Sequence, residues 1–141
     1  MTATEKRWEH FAHGADIGVR GRGPTMAAAF EQAGLALTGV ITDPAALAAA
    51  VPVHLHCEAP DDELLLMDWL NALVYEMATR KLLFGRFAVD VADHALTATA
   101  WGEPVDVARH APAVEVKGAT LTGLRVQPES GGWVAECVVD V

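Results

Sequence analysis

The stretch from Asp61 to Lys81 restricts the folds open to this chain more than any other. Leu66, Leu70, Leu73, Val74 and Met77 recur at three- and four-residue steps, and Leu65 and Trp69 widen the stripe. Asp61 or Asp62 is placed to cap the N-terminus, and Glu63 follows in the first turn, where the helix dipole favours negative charge. Arg80 and Lys81 close the opposite, cation-favouring end. An apolar arc this broad predicts a helix lying deep, across a sheet. Asp68, Asn71, Tyr75 and Thr79 make its polar edge, where Asp68 and Glu76 read as solvated groups and not as a catalytic pair.

A second helix begins at Pro24-Thr25, with Thr25 as its N-cap. Phe30, Ala33, Leu37 and Val40 share one face, and Thr42-Asp43-Pro44 ends the helix. Ala45 to Ala50 is alanine-rich and suits a further short helical turn. Strands are expected at 7–11, 17–22 and 51–59, and from Leu82 onward the pattern is antiparallel β. Leu83, Phe87, Val89 and Val91 alternate with polar or small residues, and Asp93-His94 turns the chain into Leu96–Trp101. Gly102-Glu103-Pro104 is expected to break that strand, and residues 106–112 to form a loop carrying His110. Val114–Lys117 and Leu121–Gln127 read as a further pair, with Pro128 to Gly132 as the hairpin turn into the last strand. The expected fold class is α+β: one compact domain over residues 1–141, two main helices packed on a largely antiparallel sheet system of about seven strands.

Composition narrows the function. Ten basic residues against nineteen acidic ones leave a net charge of −9. Phosphate binding rests on clustered Lys and Arg, so tight binding to nucleic acid by this domain alone is not expected. No apolar run approaches the roughly 18 residues of a membrane span, and Met1 to Arg7 has no hydrophobic signal core. The expected location is the cytoplasm, away from membranes. Alternation puts Cys57 with Val53 and Leu55, and Cys137 with Trp133, Ala135 and Val139. Both thiols then read as small buried apolar groups in a reducing compartment, and no C-x-x-C spacing is present.

The polar residues concentrate in Glu9-His10-Phe11-Ala12-His13-Gly14-Ala15-Asp16-Ile17-Gly18, a glycine-punctuated turn that runs into a strand. A rigid element beginning there would hold reactive groups in position. The plain alternative is a solvated turn whose aspartate accepts a backbone amide. A metal-dependent hydrolase built on His13 and Asp16 needs a nucleophile or activated water, and no G-x-S-x-G element exists. His54 and His56 share a strand face with Glu58, but without a clear fourth zinc ligand a solvated face is the better reading. The far end of the chain, Val138-Val139-Asp140-Val141, closes an apolar strand on a carboxylate.

Taken together, the chain resembles the archease family. The resemblance runs through His13-Gly14-Ala15-Asp16-Ile17-Gly18, Trp69-Leu70-Asn71, Leu82-Leu83-Phe84-Gly85-Arg86-Phe87 and Glu115-Val116-Lys117-Gly118-Ala119-Thr120. It continues in Gly123-Leu124-Arg125-Val126, Gly131-Gly132-Trp133 and Val139-Asp140-Val141. It implies a non-enzymatic cofactor that activates an RtcB-type RNA ligase, promoting ligase guanylylation and multiple turnover in tRNA splicing and RNA repair. An alternative implied role is modulator or chaperone of a tRNA methyltransferase. The family's metal site falls on Asp16, Asp140 and Val141, with calcium as the expected metal. One departure is Ala72, where family members often carry Glu.

The chemistry of these residues agrees with that placement. Carboxylates and a main-chain oxygen are hard donors, which suit calcium, magnesium or manganese better than zinc. They fill less than half of a calcium shell of about six to eight oxygens, leaving the rest to water or a partner. The competing reading is that Asp16 and Asp140 accept backbone amides. His13, His110 and Lys117 are candidate partner-contacting residues near such a site, although a loop His and a strand Lys are commonly just solvated.

Overall fold

The computed structural model describes residues 4–141 and places both expected helices against strands of two antiparallel sheets. The first sheet opens with a hairpin of β1 (Arg7–His13) and β2 (Asp16–Gly23). Gly14 takes φ +60° in the two-residue loop, a left-handed conformation that glycine adopts without steric cost. Helix α1 (Met26–Ile41) follows, and the Thr25 side chain accepts from Ala28 N–H as its N-cap. A 3₁₀ turn (Pro44–Ala46) leads to β3 (Val51–Glu58) and then helix α2 (Asp62–Arg80), which Asp61 caps through Leu64 N–H. Strands β4 (Leu82–Ala92) and β5 (Ala95–Pro104) form a second hairpin, in which Asp93 and His94 both take positive φ. A one-turn helix α3 (Val107–His110), the two-residue β6 (Gly118–Ala119), β7 (Arg125–Glu129) and β8 (Gly132–Asp140) complete the chain.

The larger sheet runs β1-β2-β8-β6 with β7 also paired to β8, and the smaller runs β3-β5-β4. Small residues let α1 enter between them. Toward the larger sheet, Gly21 admits the helix backbone: a Cβ there would lie 2.3 Å from Ala29 O and Ala33 N. Toward the smaller sheet, Thr38 Oγ1 donates to Phe84 O at 2.7 Å, and Gly34 abuts the Phe87 ring. Helix α2 then buries Leu65, Leu66, Trp69, Leu70 and Leu73 completely, as its broad stripe requires. Each of these side chains is worth about 1.5–3 kcal/mol of apolar transfer. Trp69 Nε1 donates to Phe30 O at 3.0 Å and so ties the two helices together. No helix among the described residues is long and apolar enough to cross a membrane.

The structure corrects five expectations. The strand expected at Leu121–Gln127 is Arg125–Glu129, which pairs with β8 and not with residues 114–117, so the expected turn from Pro128 to Gly132 shortens to residues 130 and 131. Strand β5 does not break at Gly102 but stays paired to β4 as far as Pro104. Glycine allows this, because a Cβ at position 102 would sit 2.1 Å from Leu83 O. Val114–Lys117 is not a strand: Ala113 N–H is bound by Ile41 O of α1, and only Gly118 and Ala119 join β8. Cys57 is half-buried, since β3 is an edge strand, whereas Cys137 is fully buried and burial pushes its thiol up to about 12. Residues 106–112 hold the one-turn helix α3, and His110 within it is buried.

Candidate functional site

Sheet register builds the site. His13 and Asp16 are the closing pair of the β1–β2 hairpin, and Ile17 pairs with Val139 across β2 and β8. One residue beyond that rung, the first residue of β2 and the last of β8, Asp16 and Asp140, stand beside each other on one face. Gly118 of β6 pairs with Asp140 on its other side. His13, Asp16, Asp140 and Gly118 therefore form a row across the end of the larger sheet. The row faces outward, because the alternating positions Ile17 and Val139 pack into the core. Lys117 N–H donates to Asp140 O at 2.8 Å, which brings its backbone to the row while its side chain stays exposed.

Among the described residues, the Asp16 and Asp140 carboxylates have no hydrogen-bond or ion-pair partner in the protein. They are not spent on capping backbone amides. The arginines nearest along the sheet are committed elsewhere. Phe11 pairs with Gly18 and lays its ring over it, so that a Cβ at 18 would lie 2.2 Å from the ring. Behind this aromatic rung, Glu9, Arg20, Glu136 and Arg125 are successive cross-strand neighbours. Arg20 Nη2 donates to Glu136 Oε2 at 2.9 Å, Arg125 Nε to Glu136 Oε1 at 2.9 Å, and Arg20 Nη1 to Glu9 Oε1 at 3.3 Å. Arg22 bonds Glu129 through Nε at 3.0 Å and also pairs with Glu9. Burial works to raise the Glu136 carboxyl, but the hydrogen bonds from Arg20 and Arg125 outweigh it and hold it below its ordinary value. The Arg20 guanidinium also lies 4.5 Å above the Phe11 ring centroid. These arginines are matched to glutamates and make no ion pair with Asp16 or Asp140.

His110 is not part of that row. Its side chain is only 2% exposed, so it is unavailable to a partner in this conformation, contrary to the expectation for a loop residue. Asp106 N–H donates to Nδ1 at 2.8 Å, which leaves the proton on Nε2 for donation to Glu103 Oε1 at 2.9 Å. Arg109 pairs with the same carboxylate, and Thr42 Oγ1 donates to His110 O at 2.8 Å. The cluster fastens the 105–113 segment to β5 and α1.

His54 and His56 lie on the exposed face of the smaller sheet. His54 Nδ1 is 3.0 Å from Thr99 Oγ1, and His56 Nε2 is 3.4 Å from Glu58. No group of three His, Cys, Asp or Glu side chains is placed to hold a metal among the described residues. Asp16 and Asp140 are the side-chain oxygen donors that the row presents, and carboxylate oxygens suit a hard cation better than zinc.

Two features escape a local reading of the sequence. Counting register outward from the Gly14-Ala15 loop would have set Glu9 opposite Arg20, since His13 pairs with Asp16. The contact between Asn71 Oδ1 and Ala119 N–H, at 2.8 Å, spans 48 positions and has no local signal.

The Archease protein family (MTH1598/TM1083) model matches residues 8–141. The chain is 36% identical over 141 residues to the protein archease of Pyrococcus furiosus, covering 96% of this chain and 99% of the relative. It is 32% identical over 146 residues to the protein archease of Methanosarcina barkeri, covering all of both. The solution structure of Methanobacterium thermoautotrophicum protein 1598 superposes with a TM-score of 0.83 at 32% identity, over 95% of this chain and 98% of that one. A Thermotoga maritima structure described as an archease, possible chaperone, shares the fold at 14% identity with a TM-score of 0.59, over 94% of this chain and 96% of that one. On matched sequence, matched fold and coverage of nearly the whole domain, this chain belongs to the archease family.

Proposed function

We propose that this domain is a protein cofactor of an RtcB-type RNA ligase, working through the row that contains Asp16 and Asp140. The observation that carries the reading is the side-by-side placement of two unpartnered carboxylates at the end of a rigid sheet. Family membership supplies the context. Asp16, Asp140 and a main-chain oxygen of Val141 would hold calcium, or magnesium or manganese in its place, and a bound cation would supply positive charge toward a phosphate group. The chain's own residues do the positioning. The hairpin fixes Asp16, the β2–β8 ladder fixes Asp140, and the matched arginine–glutamate rows keep both carboxylates free of internal cations.

With net charge −9, the domain acts on the ligase and not on RNA directly. The test is ligation with a cognate ligase, GTP and manganese, comparing single and multiple turnover. Wild type raises turnover at substoichiometric amounts, while Asp16→Asn and Asp140→Asn lose that help with their metal-free melting unchanged. A ligase indifferent to the wild-type domain overturns the reading. Stimulation of a tRNA methyltransferase in its place would move the same surface to the other partner, and RNA cleavage by the domain alone would favour a His13–Asp16 hydrolase.

A further inference from the structure

We infer that Asn71 is a positioning residue for the Asp140 end of β8, an inference that rests on the cofactor reading above. Strand β6 lies at the edge of the larger sheet and is two residues long, too short to hold its own register. Its flanking amides face β8: Lys117 N–H donates to Asp140 O at 2.8 Å and Thr120 N–H to Val138 O at 3.0 Å. Thr120 Oγ1 adds a second bond to Val138 O at 2.8 Å. The Ala119 N–H faces α2, where Asn71 Oδ1 accepts it at 2.8 Å. Without that acceptor a partly buried amide at the sheet edge has no partner.

The same oxygen also packs against the neighbouring residue. A Cβ at Gly118 would meet Asn71 Oδ1 at 3.1 Å, and Gly118 is the residue paired with Asp140. One side chain therefore sets the distance from α2 to both residues of β6. Helix α2 is a fixed reference for this, because Trp69, Leu70 and Leu73 around Asn71 are fully buried and Trp69 is bonded to α1. The route runs from the core through Asn71 to β6 and on to the backbone of Asp140. Support of this kind, one shell behind the working groups, typically changes affinity or activity 10- to 100-fold.

The experiment compares Asn71→Leu, which keeps bulk and loses the acceptor, with Asn71→Asp, which keeps the acceptor. Gly118→Ala strains the same contact without touching α2. Each full-length variant is assayed for amide hydrogen exchange at 117–120, calcium binding by titration calorimetry, and stimulation of ligase turnover. Asn71→Leu is expected to speed exchange at Ala119 and to lower calcium affinity and turnover on the order of tenfold. Asn71→Asp is expected to restore slow exchange and turnover, and Gly118→Ala to give an intermediate loss. Wild-type calcium binding and turnover in both Asn71→Leu and Gly118→Ala overturn the inference, and Gly118→Ala decides alone if Asn71→Leu fails to fold. Failure of the cofactor reading has a different signature: Asp16→Asn and Asp140→Asn then behave as wild type whatever Asn71 does.

Discussion

His110 Nε2 donates to Glu103 Oε1 at 2.9 Å, and both side chains are almost fully withdrawn from solvent. Arg109, and then His110, hold the Glu103 carboxyl at about 2, well below its ordinary 4.5. Folding lowers this pKa, so the stabilisation is present above about pH 4.5 and is lost as pH falls through about 2. Glu103→Gln is expected to flatten the acid limb of stability between those values. Urea unfolding of wild type and mutant at stepped pH measures it, and parallel slopes would exclude Glu103 as the source.

The arginine–glutamate rows offer a second test. Glu136 accepts from both Arg20 and Arg125, and its side chain is 8% exposed. Glu136→Gln removes the charge that both guanidiniums face and is expected to cost about 1.5–3 kcal/mol, the range of a hydrogen bond to a charged group. Chemical denaturation reads this directly. A cost near zero would mean that solvent replaces the carboxylate without loss.

Gly21 tests the close approach of α1 to β2. A methyl group there meets the helix backbone at 2.3 Å on two atoms, and backbone cannot swing away as a side chain can. Gly21→Ala is expected to destabilise the domain by about 1–3 kcal/mol through overpacking. Retained stability would show that the helix and sheet part without penalty.

Thiol accessibility separates the two cysteines. Burial raises both thiols, and Cys137 is fully enclosed while Cys57 is half-buried on an edge strand. A thiol-reactive disulfide reagent at pH 8 is expected to titrate at most Cys57 in the native protein, and both after unfolding. Rapid reaction of two thiols in the folded state would contradict the placement of Cys137.

The proposed cation site carries its own stability test. If calcium binds the folded state alone, a hundredfold excess over its dissociation constant adds about 2.7 kcal/mol. The shift in Tm is expected to vanish in Asp16→Asn with the fold intact. An undiminished shift in that mutant would remove Asp16 from the ligand set.

The two helices, the hairpin at Gly14 and the alternation of β4 and β5 were legible from the sequence, because each is written at spacings of two to four residues. The stripe from Leu65 to Met77 could only be a deep helix, and that forecast needed no knowledge of what lay above or below it. Tertiary structure alone decided that α1 is pressed between two sheets, because its small residues permit the close approach without naming the partner. It also decided the burial of His110, whose partner Glu103 stood in a segment that a glycine and a proline marked as a break. Asp16 and Asp140 lie at opposite ends of the chain, and only the β2–β8 register brings them level. Asn71 belongs to the same class: helical periodicity put it on a polar edge, and an edge-strand amide 48 positions away supplied its partner. Local propensity and patterning act over a few residues, whereas a cross-strand register is set by the whole sheet at once, and the site is built from registers.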